Sequence, residues 1–281
     1  SGCDDEQINW WRTRVTDPAR GGLAKVKQEY PIDPASCFVM PGGAFLDAAT
    51  CDWLAASART PVTSVPMVVT TPTPKTLGSL VVYEKPTVDA QYVIGADVSE
   101  GVEGDESALD VMDRRTGVTV ATFASNTISP GDFGLALAFA GTMYNRALVA
   151  PERNNHGHTT LRALSTERTS VTPYGRVFVA ADGRPGWLTS SATRPPLFDE
   201  LAGALRDRST SSPELAFAQQ SRTLVRDKDT GKPAAMGKGT KGGARDDRWI
   251  ARAIAWQLRQ RVAPATRSGG QSQTSDAMEG V

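Results

Sequence analysis

Side chains that bind soft metals are scarce in this chain: its 281 residues include two histidines and three cysteines. Cys3, Cys37 and Cys51 all fall in the first fifth, without C-x-x-C spacing or a paired framework, and read as reduced, intracellular thiols. His156 and His158 form an H-x-H beside Glu152, but no third soft ligand stands near, which disfavours zinc. Long hydrophobic runs are missing too. None approaches the roughly 18 to 20 residues of a membrane span, and the N-terminus lacks both a basic and an apolar leader segment. A soluble, cytosolic protein with no membrane partner is expected. Neither sign of charge is in excess, since 31 Lys and Arg balance 31 Asp and Glu, so any site for a polyanion must be local. The G-x-x-x-x-G-K-[ST] phosphate loop is absent, which excludes a Walker-type ATPase from this chain. Gly237-Lys-Gly-Thr-Lys-Gly242 fits a bare G-x-G-x-x-G, but no strand directly precedes it and no βαβ unit surrounds it. It reads either as a solvated hairpin or as a flexible loop whose Lys238 and Lys241, with Lys228, Lys232 and Arg245, hold phosphates.

The chain opens on Ser1-Gly2 instead of Met, as expected of a piece of a longer protein. Residues 1–75 mix short apolar clusters with Pro and Gly and suggest an irregular arm packing on a neighbour. Four prolines between Pro61 and Pro74 favour extended or edge structure. From Leu80 the texture changes, and a domain over 76–263 is expected. Leu80–Tyr83, Tyr92–Ala96, Ala108–Met112 and Val118–Phe123 are β-branched runs divided by turns, and the last three suit an antiparallel meander. Phe133–Tyr144 reads as a crossover helix capped by Asp132, leading to a buried strand at Ala147–Ala150 that lies parallel to the one from Tyr92. Helices at Leu197–Arg206, Glu214–Gln219 and Ile250–Val262 and a brief strand at Arg222–Val225 follow, and the Ser, Gly, Gln and Thr-rich residues 264–281 are expected to be disordered.

A meander, a crossover helix and a strand parallel to the first give the spatial order 3-2-1-4, and ligands bind in the crevice where such an order reverses. Asp97 ends the first of these strands and Glu152 the fourth. Helical phase puts Asp247 near the centre of an apolar arc of Ile250, Ala251, Ile254, Ala255, Leu258 and Val262, facing the sheet, with Asp246 at its edge as a cap. Arg245, Arg248, Arg252 and Arg259 fall on the opposite side, expected to be solvated. Converging carboxylates need a compensating charge, and hard divalent cations with oxygen ligands supply it. Two Mg²⁺ or Mn²⁺ ions about 4 Å apart, with Asp97 bridging and Glu152 and Asp247 on either side, would suit in-line phosphodiester cleavage. Asp105 is a further acid in the turn after the first strand, and Asn154, Asn155 and His156 suit DNA contacts or the turn after Glu152.

These residues lie in segments that resemble the nuclease domain of the large terminase subunit of tailed bacteriophages. The resemblance runs through Tyr92-Val-Ile-Gly-Ala-Asp97-Val-Ser-Glu-Gly101 with Gly104-Asp105-Glu-Ser107, and Glu152-Arg-Asn-Asn-His-Gly157. It continues through Ser191-Ala-Thr-Arg194, Glu214-Leu215 and Gly242-Gly-Ala-Arg-Asp-Asp247, while Lys27-Gln-Glu-Tyr-Pro31 looks like the family's junction between ATPase and nuclease. Arg245 stands where the family often has His, and Arg194 where it often has Lys.

The resemblance implies an RNase H-like α/β fold, a mixed sheet of order 3-2-1-4-5 flanked by helices. It implies an endonuclease that cuts concatemeric viral DNA into genome lengths in the host cytoplasm and is not a virion component. Its acidic motifs map onto Asp97, Glu152 and the Asp246-Asp247 pair. Double-stranded DNA is the implied partner, joined in the full-length protein by the portal and the small terminase subunit. Arg194, Lys238, Lys241, Arg245 and Arg248 are then candidate DNA contacts. Three other readings remain: a Holliday-junction-resolvase-like nuclease, a sugar-kinase-like phosphotransferase of the same sheet order, and a module that grips DNA or portal without cutting.

Overall fold

The computed structural model describes residues 43–70, 74–101, 105–154, 156–165, 174–227, 230–237 and 243–261, with Glu6, Asn9 and Thr13. Asn155, Lys228, Lys238 and Lys241, most of the expected N-terminal arm and the expected disordered tail lie outside them. Among the described residues, no helix is long and apolar enough to cross a membrane.

A six-stranded sheet forms the centre, built from β1 (Thr63–Thr70), β2 (Pro74–Val82), β3 (Tyr92–Asp97), β4 (Ser107–Asp113), β5 (Thr119–Ser125) and β6 (Leu148–Pro151) in the order β1-β2-β5-β4-β3-β6. β6 runs parallel to β3, and every other pairing is antiparallel. The stretch β5-β4-β3-β6 is the order 3-2-1-4 expected from the meander and crossover. Two details differ. The sheet grows at its other edge by the β1-β2 hairpin, so a boundary at residue 75 cuts through β2 and the sheet begins at Thr63. Beyond β6, among the described residues, the fifth position holds isolated bridges, Val177 to Val149 and Trp187 to Glu152. The brief strand near Val225 is β7 (Leu224–Arg226), paired with β8 (Pro233–Ala235) in a separate hairpin.

Among the described residues, six helices surround the sheets: α1 (Ala48–Ala56), α2 (Pro130–Met143), α3 (Gly157–Ser165), α4 (Arg194–Arg206), α5 (Leu215–Arg222) and α6 (Asp247–Arg261). Ser129 caps α2, its Oγ accepting the Asp132 N–H at 3.2 Å; the expected cap, Asp132, lies inside the first turn. The crossover α2 covers one face of the sheet and α6 the other, so β3 is buried along its whole length. Period-two alternation sends Tyr92, Ile94 and Ala96 into the α2 core and Val93 into the α6 core. Gly95 and Asp97 share the Val93 face, so Asp97 ends the strand on the side of α6.

At Gly95 the helix comes so close that a Cβ would overlap the Ala251 carbonyl oxygen and the Ala255 amide nitrogen. α6 is buried nearly all round from Trp249 to Leu258, because α4 and α5 close over its outer side. Trp249 stacks on Phe217 of α5 with ring centroids 5.6 Å apart and meets Phe45 and Phe198 edge-on or tilted.

That enclosure corrects the expected solvated arginine face. Arg252 is 0% exposed and is held by Asp110 at 3.3 Å, by the Thr119 hydroxyl, by Thr210 Oγ1 at 2.5 Å and by the Ser211 carbonyl at 2.6 Å. Arg259 donates to the carbonyls of Arg114 and Arg115 at 2.8 and 3.1 Å and lies over the Trp256 ring.

Candidate active site

β3 and β6 run side by side, with Ala96 opposite Pro151, so the residues that follow them emerge together. The Glu152 N–H donates to the Ala96 carbonyl at 2.8 Å, which fixes Glu152 beside Asp97. The chain then turns back tightly. The Gly157 N–H reaches the Asn154 carbonyl at 2.8 Å, and a Cβ on Gly157 would overlap the Glu152 carbonyl oxygen, so this turn requires glycine. Asn154 faces inward, its Nδ2 donating to Glu152 Oε1 at 3.1 Å and to the Thr189 carbonyl at 2.7 Å. Its observed role is to hold Glu152.

The third acid arrives on α6. Asp247 is the first residue of the helix, and its Oδ2 accepts the main-chain N–H of Glu106, just before β4, at 2.9 Å. Asp246, one residue earlier, pairs with Arg194 at the start of α4, whose guanidinium also lies 4.6 Å from the Phe198 ring centroid. Asp97, Glu152, Asp246 and Asp247 are all less than a tenth exposed. They line one cavity of about 340 Å³, together with Asp105, Asn154, Ser190 and Arg194.

Burying so many acids together has an electrostatic consequence. Burial pushes the Asp97 carboxyl well above the ordinary carboxylate range, and Glu152, Asp247 and Asp246 push it further. Burial also pushes Asp247 up to about 7; the Glu106 N–H pulls it down, while Asp105, Asp246 and Glu106 add repulsion. Among the described residues, no three or more His, Cys, Asp or Glu side chains are drawn around a single point as one preformed ion site would require. The acids stand around a cavity instead.

The donor set fits a hard cation. The lining offers carboxylate, amide and hydroxyl oxygens and neither imidazole nor thiolate, the chemistry that suits Mg²⁺ or Mn²⁺. His156 stands outside that lining, 3.5 Å from Glu100, and His158 is exposed.

Arg245 is half-buried just ahead of Asp246. Arg248 is turned inward onto Glu106 and Glu214. Glu106 and Glu214 lie in segments that carry the resemblance, but their pairing with α6 leaves no local sequence pattern, because each meets it across a long separation. Arg248 is the exception, since it directly follows Asp247.

The mixed six-stranded sheet flanked by helices is an RNase H-like fold, the one that large terminase nucleases have. The crystal structure of the large terminase nuclease from thermophilic phage G20c superimposes with a TM-score of 0.51, at 19% identity, over 74% of this chain and 97% of that one. Structures of the same nuclease with bound magnesium and with bound cobalt each give a TM-score of 0.53 at 18% identity, over 78% of this chain and 98% of theirs. At these identities the likeness is one of fold. No protein-family model and no curated protein sequence matches the chain.

Proposed function

We propose that this chain is a metal-dependent endonuclease that cuts double-stranded viral DNA during genome packaging, with its active site at Asp97, Glu152 and Asp247. The observation that carries the reading is the cavity into which β3, β6 and α6 deliver buried carboxylates, in a fold shared with large terminase nucleases. The G20c nuclease was crystallised with magnesium, in keeping with the oxygen donors of this site.

Two divalent cations, when bound, supply water activation and neutralise charge on the leaving 3′ oxygen. The chain's own residues do the rest. Asp97, Glu152 and Asp247 would hold the cations, with Glu152 oriented by Asn154 and Asp247 by the Glu106 N–H. Arg194 neutralises Asp246 and tempers the negative charge at the cavity wall, which a DNA phosphate must approach. On this reading the portal and the small terminase subunit are the partners of the longer protein.

The test is plasmid cleavage in Mn²⁺ or Mg²⁺ by the wild-type chain and by the Asp97→Ala and Glu152→Ala variants, with folding followed by circular dichroism. Both variants are expected to stay folded and lose cleavage. Undiminished cleavage by either one overturns the assignment. Four-way junctions cut in strong preference to linear duplex would replace it with a junction resolvase.

A further inference from the structure

Arg248 follows Asp247 directly on α6 and, read from the sequence, suits a phosphate contact. Its guanidinium points inward instead. Nη1 donates to Glu214, and Nη2 lies 3.2 Å from Glu106 Oε2, with the arginine side chain 19% exposed. Glu214 is buried, and the same Oε1 accepts the Thr122 hydroxyl at 3.3 Å, so this anchor is fixed to β5. Glu106 therefore has two ties to α6: its carboxylate meets Arg248, and its main-chain N–H meets Asp247 Oδ2 at 2.9 Å. Asp247, Arg248 and Glu106 close a small ring, and Glu106 and Asp247 of that ring line the acid cavity.

We infer that Arg248 is a positioning residue for the acid cluster: by holding the Glu106 carboxylate it keeps the Glu106 N–H on Asp247 Oδ2, leaving the other carboxylate oxygen for a cation. The inference rests on the nuclease reading, which assigns these acids to cation binding. A free carboxylate rotates; one that accepts a fixed N–H does not, and a hydrogen bond to a charged acceptor is strong enough to hold it. A planar guanidinium can serve two carboxylates at once, whereas a lysine ammonium serves them as a point charge. Contact with DNA would require Arg248 to leave both partners, one of them buried, and so to uncover an unpaired carboxylate.

The test uses the whole chain with two probes: Mn²⁺ alone by titration calorimetry, and a short DNA duplex in non-cleaving Ca²⁺ by fluorescence anisotropy over a range of salt. Arg248→Met and Glu106→Ala are each expected to weaken Mn²⁺ binding about 10- to 100-fold, the cost typical of losing a residue that orients a metal ligand. Duplex affinity and its salt dependence should change little, and Arg248→Lys should recover part of the Mn²⁺ affinity. If Arg248→Met fails to fold, Glu106→Ala carries the test, because the Glu106 side chain is 23% exposed and its main-chain donor remains.

Unchanged Mn²⁺ affinity in either variant overturns the inference. Weaker duplex binding with a salt slope reduced by about one, at unchanged Mn²⁺ affinity, makes Arg248 a phosphate contact instead. A wild-type chain that binds no Mn²⁺ overturns the nuclease reading along with it, whereas normal wild-type binding matched by both variants overturns the inference alone.

Discussion

Gly95 on β3 and Ala251 on α6 are in backbone contact: a Cβ on Gly95 would overlap the Ala251 carbonyl oxygen. This approach lets the helix lie directly on the strand. Asp97 is two residues beyond Gly95 on the same strand face, and Asp247 is one helical turn before Ala251, so one close contact sets the spacing of two site acids.

Gly95→Ala should therefore harm both fold and site. Overpacking of this kind costs about 1–3 kcal/mol, visible as a lower urea midpoint. Because α6 must lift to admit the methyl, cleavage should fall by more than the lost folded fraction explains. A variant with wild-type stability and activity would show that the contact does not control the site.

Asp247 gives the site a defined pH dependence. In the unfolded chain its carboxyl ionises near 3.8, while in the folded protein it keeps its proton to about 7. Below about pH 4 both states are protonated and nothing is lost. Between about 4 and 7 the unfolded chain releases the proton first, so folding stability falls as pH rises, and the full penalty stands above 7. In EDTA, Asp247→Asn should melt higher than wild type at pH 7.5 and nearly level with it at pH 4. Equal melting temperatures across that range would contradict the shift.

Asp97→Asn should separate stability from activity. Removing a charge from a crowded buried cluster should raise the melting temperature in EDTA by roughly 2–4 °C, corresponding to about 1 kcal/mol. Loss of a cation ligand should lower cleavage by about three orders of magnitude, since cation stabilisation of the transition state is worth several kcal/mol. A stabilised variant that still cuts would remove Asp97 from the chemistry.

The buried pair of Arg252 and Asp110 should show a different pattern. Arg252→Met alone leaves the Asp110 carboxylate enclosed without its cation, a change that costs about 3–5 kcal/mol. Adding Asp110→Asn should recover more than half of the loss, because Thr119 Oγ1 can still donate to the amide oxygen in place of the carboxylate it now meets at 2.7 Å. Urea unfolding of the two single variants and the double variant measures the coupling. Additive losses would mean that the two charges do not compensate each other.

Topology and helical phase made the convergence of Asp97, Glu152 and Asp247 legible in the sequence. Two parallel strands joined by a crossover must bring Asp97 and Glu152 together, and the apolar arc of α6 must turn Asp247 inward. The same phase rule misplaced Arg252. It treats whatever lies opposite the apolar arc as solvent-facing, but α4 and α5 cover that side, and only the tertiary structure reveals a cover contributed from elsewhere in the chain.

Contacts between distant residues were equally hidden. Glu106 and Asp247 lie 141 positions apart, Asp110 and Arg252 142, and no local pattern links either pair. β1 falls in the segment that reads as an arm because its apolar clusters lack periodicity, yet its prolines suit an edge, and β1 is the edge strand of the sheet. α3 went unread because it begins with glycine and carries Thr159 and Thr160, weak helix formers. It forms by packing closely on α2, where a Cβ on Gly134 would meet the Thr160 carbonyl oxygen.

Anomalous diffraction from crystals of the whole chain soaked in Mn²⁺ is the most direct measurement of the central claim. The expected result is strong density in the cavity, within coordination distance of Asp97 and of Glu152 or Asp247. Well-ordered carboxylates at a saturating soak with no anomalous peak among them would contradict it.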